Sequence, residues 1–219
     1  MSVKLFVTGT DTGIGKTYIS VGLLKSFQAM GYHALGVKPI ASGANWINGQ
    51  LKNEDGLKLN QASSFPIDYE LTNPIVFEGA VAPHIAAARE NKSITLKDMI
   101  AKTDAIFNYP CDVHIVEGAG GWFVPLNEHE TIADFVIHHE MDVILVVGIR
   151  LGCISHAILT YNAIVQANLR VAGWVANCFD DTTVVSEEII QTLKEWLKAP
   201  CLAVIPYGGK AEDYLVSEV

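Results

Sequence analysis

Between Gly9 and Thr17 the chain reads Gly-Thr-Asp-Thr-Gly-Ile-Gly-Lys-Thr. Residues of these types in this order can hold phosphate. Glycines let backbone N–H groups turn inward around phosphate oxygens, and a helix opening straight afterwards adds its positive end. Lys16 would reach the β- and γ-phosphates, and the Thr17 hydroxyl would ligate Mg²⁺. The generic pattern has four residues between its first Gly and the Gly-Lys pair. Here Thr10 holds that first position and Gly9 lies one residue earlier.

A phosphate loop needs an acidic residue at the end of a neighbouring apolar strand, to hold Mg²⁺ directly or through water. Val113-His114-Ile115-Val116 followed by Glu117 has that form, and Gly118-Ala119-Gly120-Gly121 beyond it lets backbone approach a ligand closely. Lys38 closes a second apolar stretch, ahead of Pro39 and the Ser42-Gly43 pair. It reads equally as a phosphate or substrate contact and as a solvated lysine. On its residues alone, Asp55 reads more readily as a helix cap or a solvent-facing carboxylate, and Asp11 as a turn residue. The seven histidines form no metal pattern. His138 and His139 are adjacent, whereas a helical metal pair wants i, i+4 spacing, so a structural or surface role is expected.

The elements that must position these groups alternate. Val3–Val7 reads as a strand, and Tyr18–Phe27 carries helical periodicity. Ala34–Lys38 reads as a strand and residues 40–53 as a loop rich in Gly, Asn and Ser. Helices are expected at Glu54–Ala62, Pro83–Glu90, Leu96–Phe107, Thr131–His139, Ser155–Ala167 and Ser186–Leu197. An Asn73-Pro74 break precedes an extended Ile75–Phe77, and strands are expected at Val143–Val147, Val171–Ala176 and Leu202–Ile205. Strands alternating with helices predict one α/β domain, a mostly parallel sheet with helices on both faces. Ligands gather at the carboxyl ends of such strands. Gly9, Lys38, Glu117, Gly148 and Asn177 all fall there.

The chain of 219 residues is 50% hydrophobic, enough for one full core, and some of that surface can cover a subunit interface. A formal charge of −9 with no Lys/Arg cluster argues against a nucleic-acid partner. The longest unbroken apolar stretch, Val143–Val147, is far short of a membrane span, and the chain enters a strand at once without a signal-peptide pattern. Cys111, Cys153, Cys178 and Cys201 have no paired spacing and read as reduced residues of a cytoplasmic protein.

Taken together and in order, these stretches resemble dethiobiotin synthetase, the biotin-pathway ligase. The carriers are Thr8–Thr12 with Gly15-Lys16-Thr17, Lys38–Gly43, Asp55, Asn73-Pro74, Pro83-His84, Glu117–Trp122, Leu151-Gly152-Cys153 with His156, and Gly173–Asn177. The extra residue in the phosphate loop is similar to that family's form. The resemblance implies a P-loop NTPase fold and an ATP- and Mg²⁺-dependent closure of the ureido ring of dethiobiotin from 7,8-diaminononanoate and CO₂. One amine takes up CO₂ as a carbamate, whose oxygen attacks the γ-phosphate. The second amine then displaces phosphate from the carbamic–phosphoric anhydride.

The resemblance also implies residue roles. Lys16, Lys38 and Thr12 are catalytic, with the two lysines flanking the transferring phosphate. Thr17, Asp55 and Glu117 hold Mg²⁺. Thr12, Lys38, Ser42 and the Gly118–Gly121 backbone hold the carbamate end of the substrate. Gly13, Ile14, Gly15, Lys16, Thr17, Tyr18, Asp55, Glu117 and Gly118-Ala119-Gly120 surround the nucleotide. Asn177, Cys178, Pro206, Tyr207 and Gly208 lie towards its base, with Asn177 facing the purine. Gly152, Cys153 and Ser155, at a helix start supplied by the neighbouring subunit of a homodimer, take the substrate carboxylate.

Gly13 and Cys178 depart from the family's usual acidic residues, and the chain ends soon after Gly208, so a C-terminal helix of longer relatives is not expected. Other nucleoside triphosphates are therefore candidates beside ATP. Two rival functions are a partitioning-type switch ATPase and a small-metabolite P-loop kinase. The switch carries a second lysine one residue after the loop's first position, where this chain has Asp11. The kinase is separated by whether bicarbonate is required.

Overall fold

The computed structural model describes residues 2–180 and 185–215. In chain order the elements are β1 (Val3–Gly9), α1 (Lys16–Ala29), β2 (Ala34–Val37), β3 (Ile40–Ala41), β4 (Asn45–Ile47), β5 (Gln50–Lys52), α2 (Glu54–Ala62), α3 (Tyr69–Thr72), β6 (Ile75–Val76), α4 (Pro83–Arg89), α5 (Leu96–Phe107), β7 (Val113–Glu117), α6 (Ile132–His138), β8 (Asp142–Gly148), α7 (Cys153–Gln166), β9 (Val171–Asn177), α8 (Ser186–Trp196), β10 (Cys201–Ile205) and α9 (Ala211–Tyr214).

The central sheet has six parallel strands in the order β10-β9-β8-β1-β7-β2. Its strands are apolar throughout because both faces are covered. Side chains alternate along each strand, so Leu5 and Val7 meet one layer and Phe6 the other. On the first face Leu5, Val7, Ile115, Ile144 and Val146 pack against Ile19, Leu23, Leu24 and Phe27 of α1, Leu59 of α2 and Ala211 at the start of α9. On the second, Phe6, Val116 and Val143 pack with Met99, Ile106, Phe135 and Val136 of α5 and α6. Leu145, Val147 and Trp174 continue that face against Ala157, Ile190 and Leu193 of α7 and α8.

Register brings the chemistry-bearing strand ends to one edge. Val7 pairs with Glu117, Gly9 with Val146, Val37 with Val116, and Gly148 with Asn177. The chain crosses from β1 to β2 in one direction and from β7 past β1 to β8 in the other, so the crevice opens where the strand order reverses.

Three local expectations differ from the structure. Residues 40–53 are not one loop: β3 pairs with β6, and β4 with β5 as an antiparallel hairpin. Its turn is Asn48-Gly49, at φ 51° and 77°, a two-residue turn of left-handed residues whose twist matches the right-handed twist of paired strands. At three residues each, the strands are too short for an alternation to declare them, which hid the hairpin. The short C-terminus still forms a helical turn, α9, because Gly22 of α1 leaves room for Ala211: a Cβ at Gly22 would lie 2.6 Å from Ala211 Cβ. Finally, α7 opens at Cys153 rather than Ser155. His138 is exposed, whereas His139 lies against Phe107 and Phe135 with ring centroids 5.0 and 4.7 Å away.

Candidate active site

The turn between β1 and α1 is shaped by its glycines. Gly13 and Gly15 have φ of 74° and 93°, left-handed values that favour glycine. A Cβ on Gly15 would also sit 2.3 Å from Asn177 Nδ2, so the loop and the end of β9 touch through that glycine. The Asn177 amide donates to Ile14 O at 2.8 Å. Among the described residues no side chain caps the start of α1, and its first turn holds no acid, which leaves free N–H groups and a positive dipole facing the crevice.

Asp11 does more than turn the chain. Its carbonyl accepts from Lys16 Nζ at 2.8 Å, its carboxylate accepts from Thr12 N at 2.7 Å, and the Arg150 guanidinium pairs with the same carboxylate. The Thr12 N–H, and then Arg150, hold its carboxyl below the usual range. Arg150 is a brace that the sequence pattern did not mark.

Beside the loop lies a buried charge cluster. Glu117 is 1% exposed and Lys38 4%. Glu117 Oε1 accepts from Lys38 Nζ at 2.6 Å and from Thr17 Oγ1 at 2.8 Å, while Lys38 Nζ also donates to Gly118 O at 2.9 Å. Asp55 Oδ2 stands 3.5 Å from the same ammonium. Glu117 Oε2 is buried with no partner among the described residues, an acceptor of the hard-oxygen type that a divalent cation would use. Lys16 is pushed down to about 8, first by burial and then by the positive Lys38.

A polar relay holds these groups in place. Asn53 caps α2 by accepting from Asp55 N and Gly56 N, and its amide donates to Ser42 O at 3.1 Å. Asn53 N donates to Tyr69 Oη at 2.7 Å, Tyr69 Oη to Asn73 Oδ1 at 2.8 Å, and Asn73 Nδ2 to Lys38 O at 2.6 Å. One buried chain thus fixes Ser42, Asp55 and Lys38 together. Sequence reasoning saw only a break at Asn73-Pro74 and missed Asn53 and Tyr69, since their partners are remote in sequence. Lys58, also missed, faces the same cleft and pairs with Glu54 at 2.6 Å.

Thr12, Gly13, Gly15, Lys16, Thr17, Tyr18, Lys38, Ser42, Asp55, Glu117, Ala119 and Gly120 line one cleft of about 380 Å³. Thr12, Ser42, Ala119 and Gly120 also border a second cleft of about 410 Å³, whose far wall is Ala80–Pro83 and Val124. Charge is therefore concentrated at one end and apolar surface continues from it. Ile14 is buried under the loop, and Gly118 packs where a Cβ would meet Phe6 at 2.8 Å. Gly121 lies beside the loop, its Cβ position 3.6 Å from Gly9 O.

The remaining expected residues stand outside this cleft. Cys178, Pro206, Tyr207 and Gly208 follow the ends of β9 and β10. Gly152 and Ser155 are exposed at the start of α7, whereas the Cys153 thiol is buried in the core and its N–H donates to Arg150 O at 3.1 Å. Cys153 can therefore offer a ligand neither its thiol nor a free N–H.

Nearly the whole chain is similar to known enzymes. The chain is 45% identical to the ATP-dependent dethiobiotin synthetase of Cellvibrio japonicus, over 94% of this chain and 90% of that one. It is 44% identical to one from Escherichia coli strain K12, over 94% and 92%. The chain belongs to the dethiobiotin synthetase family. A model described as an AAA domain also matches residues 3–213.

The chain shares its fold with proteins of other families. The MinC:MinD cell division complex of Aquifex aeolicus superposes with a TM-score of 0.58 at 15% identity, over 98% of this chain and 85% of that one. A ParA family ATPase from Chlorobium tepidum gives 0.57 at 15%, over 99% and 98%. Such likeness carries architecture alone. Among the described residues, no helix is long and apolar enough to cross a membrane.

Proposed function

We propose that this chain closes the ureido ring of dethiobiotin, joining 7,8-diaminononanoate and CO₂ at the expense of ATP. The observation that carries this reading is the buried Lys38–Glu117–Thr17 cluster beside the glycine loop, opening into a cleft of mixed polar and apolar lining. A substrate with two amines at one end of an aliphatic chain matches that gradient.

In this reading the glycine-loop N–H groups, Lys16 and the start of α1 take the triphosphate. Lys38 and Lys16 flank the γ-phosphate and neutralise charge as it transfers. Thr12, Ser42 and the Gly118–Gly121 backbone orient the carbamate, so that its oxygen faces the γ-phosphorus. ADP leaves as the anhydride forms. The second amine then attacks the carbonyl carbon, and phosphate departs with the carbamate oxygen. Proximity supplies much of the rate, because three reactants are held in one water-poor cleft.

Thr17, Asp55 and Glu117 would hold Mg²⁺, and their oxygens, with the unpartnered Glu117 Oε2, fit such an ion. When bound, Mg²⁺ supplies charge neutralisation on the phosphate oxygens. Asn177, Cys178 and the turn at Pro206-Tyr207-Gly208 lie towards the base. The substrate carboxylate is met by the free N–H groups at Gly152 and Ser155 of a second copy, so the working unit is a homodimer with shared sites. Four cysteines without paired spacing suit a reducing compartment, the cytoplasm.

The structure gives Asp11 a structural partner, Arg150, in place of the second lysine of a partitioning switch. The test is nucleotide hydrolysis with diaminononanoate, with and without bicarbonate. Strong stimulation by both together is expected. Turnover driven by the diamine alone would instead mark a kinase.

A further inference from the structure

The base end of the candidate site holds a contact that phosphate binding does not explain. β10 ends at Ile205 and runs into Pro206-Tyr207-Gly208-Gly209, a turn closed by Gly209 N donating to Pro206 O at 2.9 Å. Gly208, at φ 74°, occupies the position where such a turn requires a left-handed residue. Tyr207 is exposed at its tip. The turn starts beside the glycine loop: Ile205 pairs with Asn177, Cys178 N donates to Ile205 O at 2.9 Å, and the Asn177 amide grips Ile14 O.

Beyond this strand pairing, one side chain of the glycine-loop helix ties the far end of the turn. The Tyr18 hydroxyl donates to Gly209 O and accepts from Ala211 N at 3.0 Å. It spans residues 191 and 193 positions away in sequence. Gly22 and Lys25 extend the contact along the same face of α1, at i+4 and i+7 from Tyr18: Gly22 lies against Ala211, and Lys25 Nζ pairs with Glu212 at 2.9 Å. Tyr18 directly follows Thr17, whose hydroxyl engages Glu117.

We propose that Tyr18 is a positioning residue for nucleotide selectivity, pinning the 206–210 turn as a wall for the base while touching no phosphate. The inference rests on the reading that the base lies towards Asn177 and this turn. The hydroxyl holds both backbone ends of the turn's exit, so its loss frees the wall and leaves the phosphate loop intact. A nucleotide would then lose what the base contributes and keep what the triphosphate contributes.

The test is calorimetric titration of Tyr18→Phe and Tyr207→Ala with ATP and with inorganic tripolyphosphate, each with excess Mg²⁺. Tyr18→Phe is expected to weaken ATP about tenfold and to leave tripolyphosphate within about twofold, while Tyr207→Ala weakens ATP in the same selective way. Equal weakening of both ligands by Tyr18→Phe would mean that Tyr18 only supports the phosphate loop, overturning the proposal. A selective effect of Tyr207→Ala with none from Tyr18→Phe would overturn the pin and leave the base reading standing. No selective effect from either would remove the base reading itself, and the pin with it.

Discussion

Glu117→Gln perturbs the site at its most buried point. Glutamine keeps the size of the side chain and one carbonyl acceptor, but removes the negative charge that Lys38 meets at 2.6 Å and Thr17 at 2.8 Å. Two consequences have separate readouts. For stability, removing one partner from a buried ion pair costs about 3–5 kcal/mol. Here the amide oxygen still accepts, and Lys38 retains Gly118 O at 2.9 Å and Asp55 at 3.5 Å. Those contacts offset part of the cost, leaving about 2 kcal/mol, given that a hydrogen bond to a charged group contributes about 1.5–3 kcal/mol. For a chain of this length that lowers Tm by about 4–8 °C. For turnover, losing an anion that orders Lys38, Thr17 and Mg²⁺ around the phosphates should slow the reaction about 10²-fold or more, some 2.7 kcal/mol at the transition state. The assay pairs calorimetric melting with steady-state phosphate release in diaminononanoate, bicarbonate and ATP. Activity within about threefold of the parent would refute the role given to Glu117. A folded variant with an unchanged Tm would refute the buried-pair reasoning.

Base choice should be modest, because Gly13 presents no side chain and a Cβ there would meet nothing within 4 Å. The ratio of kcat/KM for ATP over GTP or CTP should stay below about 10³, equivalent to about 4 kcal/mol, and a larger preference would contradict the open pocket. Shared sites predict complementation between Lys16→Ala and Ser155→Trp, each inactive alone. Mixed at equal amounts, half the dimers are hybrids with one intact site each, so about a quarter of wild-type activity should return. Its absence in proven hybrids would place both lesions in one site. His139 provides a pH test away from the cleft: burial between Phe107 and Phe135 pulls it down to about 4, against 6.5 unfolded. The unfolded chain thus binds its proton first as pH falls from 6.5 towards 4, and the protein loses stability across that window. Relative to the wild type, His139→Leu should gain Tm as pH falls through the window, and a pH-independent difference would show that the histidine does not titrate on unfolding.

Much of this organisation was legible because it is local. Strand β8 is a run of apolar residues, and Gly15-Lys16-Thr17 declares a phosphate loop within a few positions. Glu117 was legible as an acid at the end of an apolar strand, since sheet order then delivers it beside β1. What escaped depends on remote partners. Nothing in the local pattern of Asn53, Tyr69 or Asn73 indicates that their side chains and backbone join across the first 73 residues to fix Lys38. Arg150 meets Asp11 from 139 positions away. The Asn48-Gly49 turn was a local signal, and it was missed because the strands beside it are only three residues each, too short for an alternation to declare them. Asp55 needed the fold most: the cap of α2 is Asn53 and not Asp55, whose own N–H is the capped group and whose carboxylate turns towards Lys38, a partner remote in sequence.

The most direct measurement of ring closure follows the atoms of CO₂. The protein is incubated with 7,8-diaminononanoate, ATP, Mg²⁺ and bicarbonate carrying both ¹³C and ¹⁸O, and the organic product and the released phosphate are weighed by mass spectrometry. The expected result is dethiobiotin with ¹³C at its ureido carbon, one ADP per ring closed, and one ¹⁸O in the phosphate, handed over when the carbamate oxygen attacks the γ-phosphorus. Unlabelled phosphate beside labelled dethiobiotin would contradict the mixed anhydride, and a phosphorylated diamine formed without bicarbonate would contradict the ligase altogether.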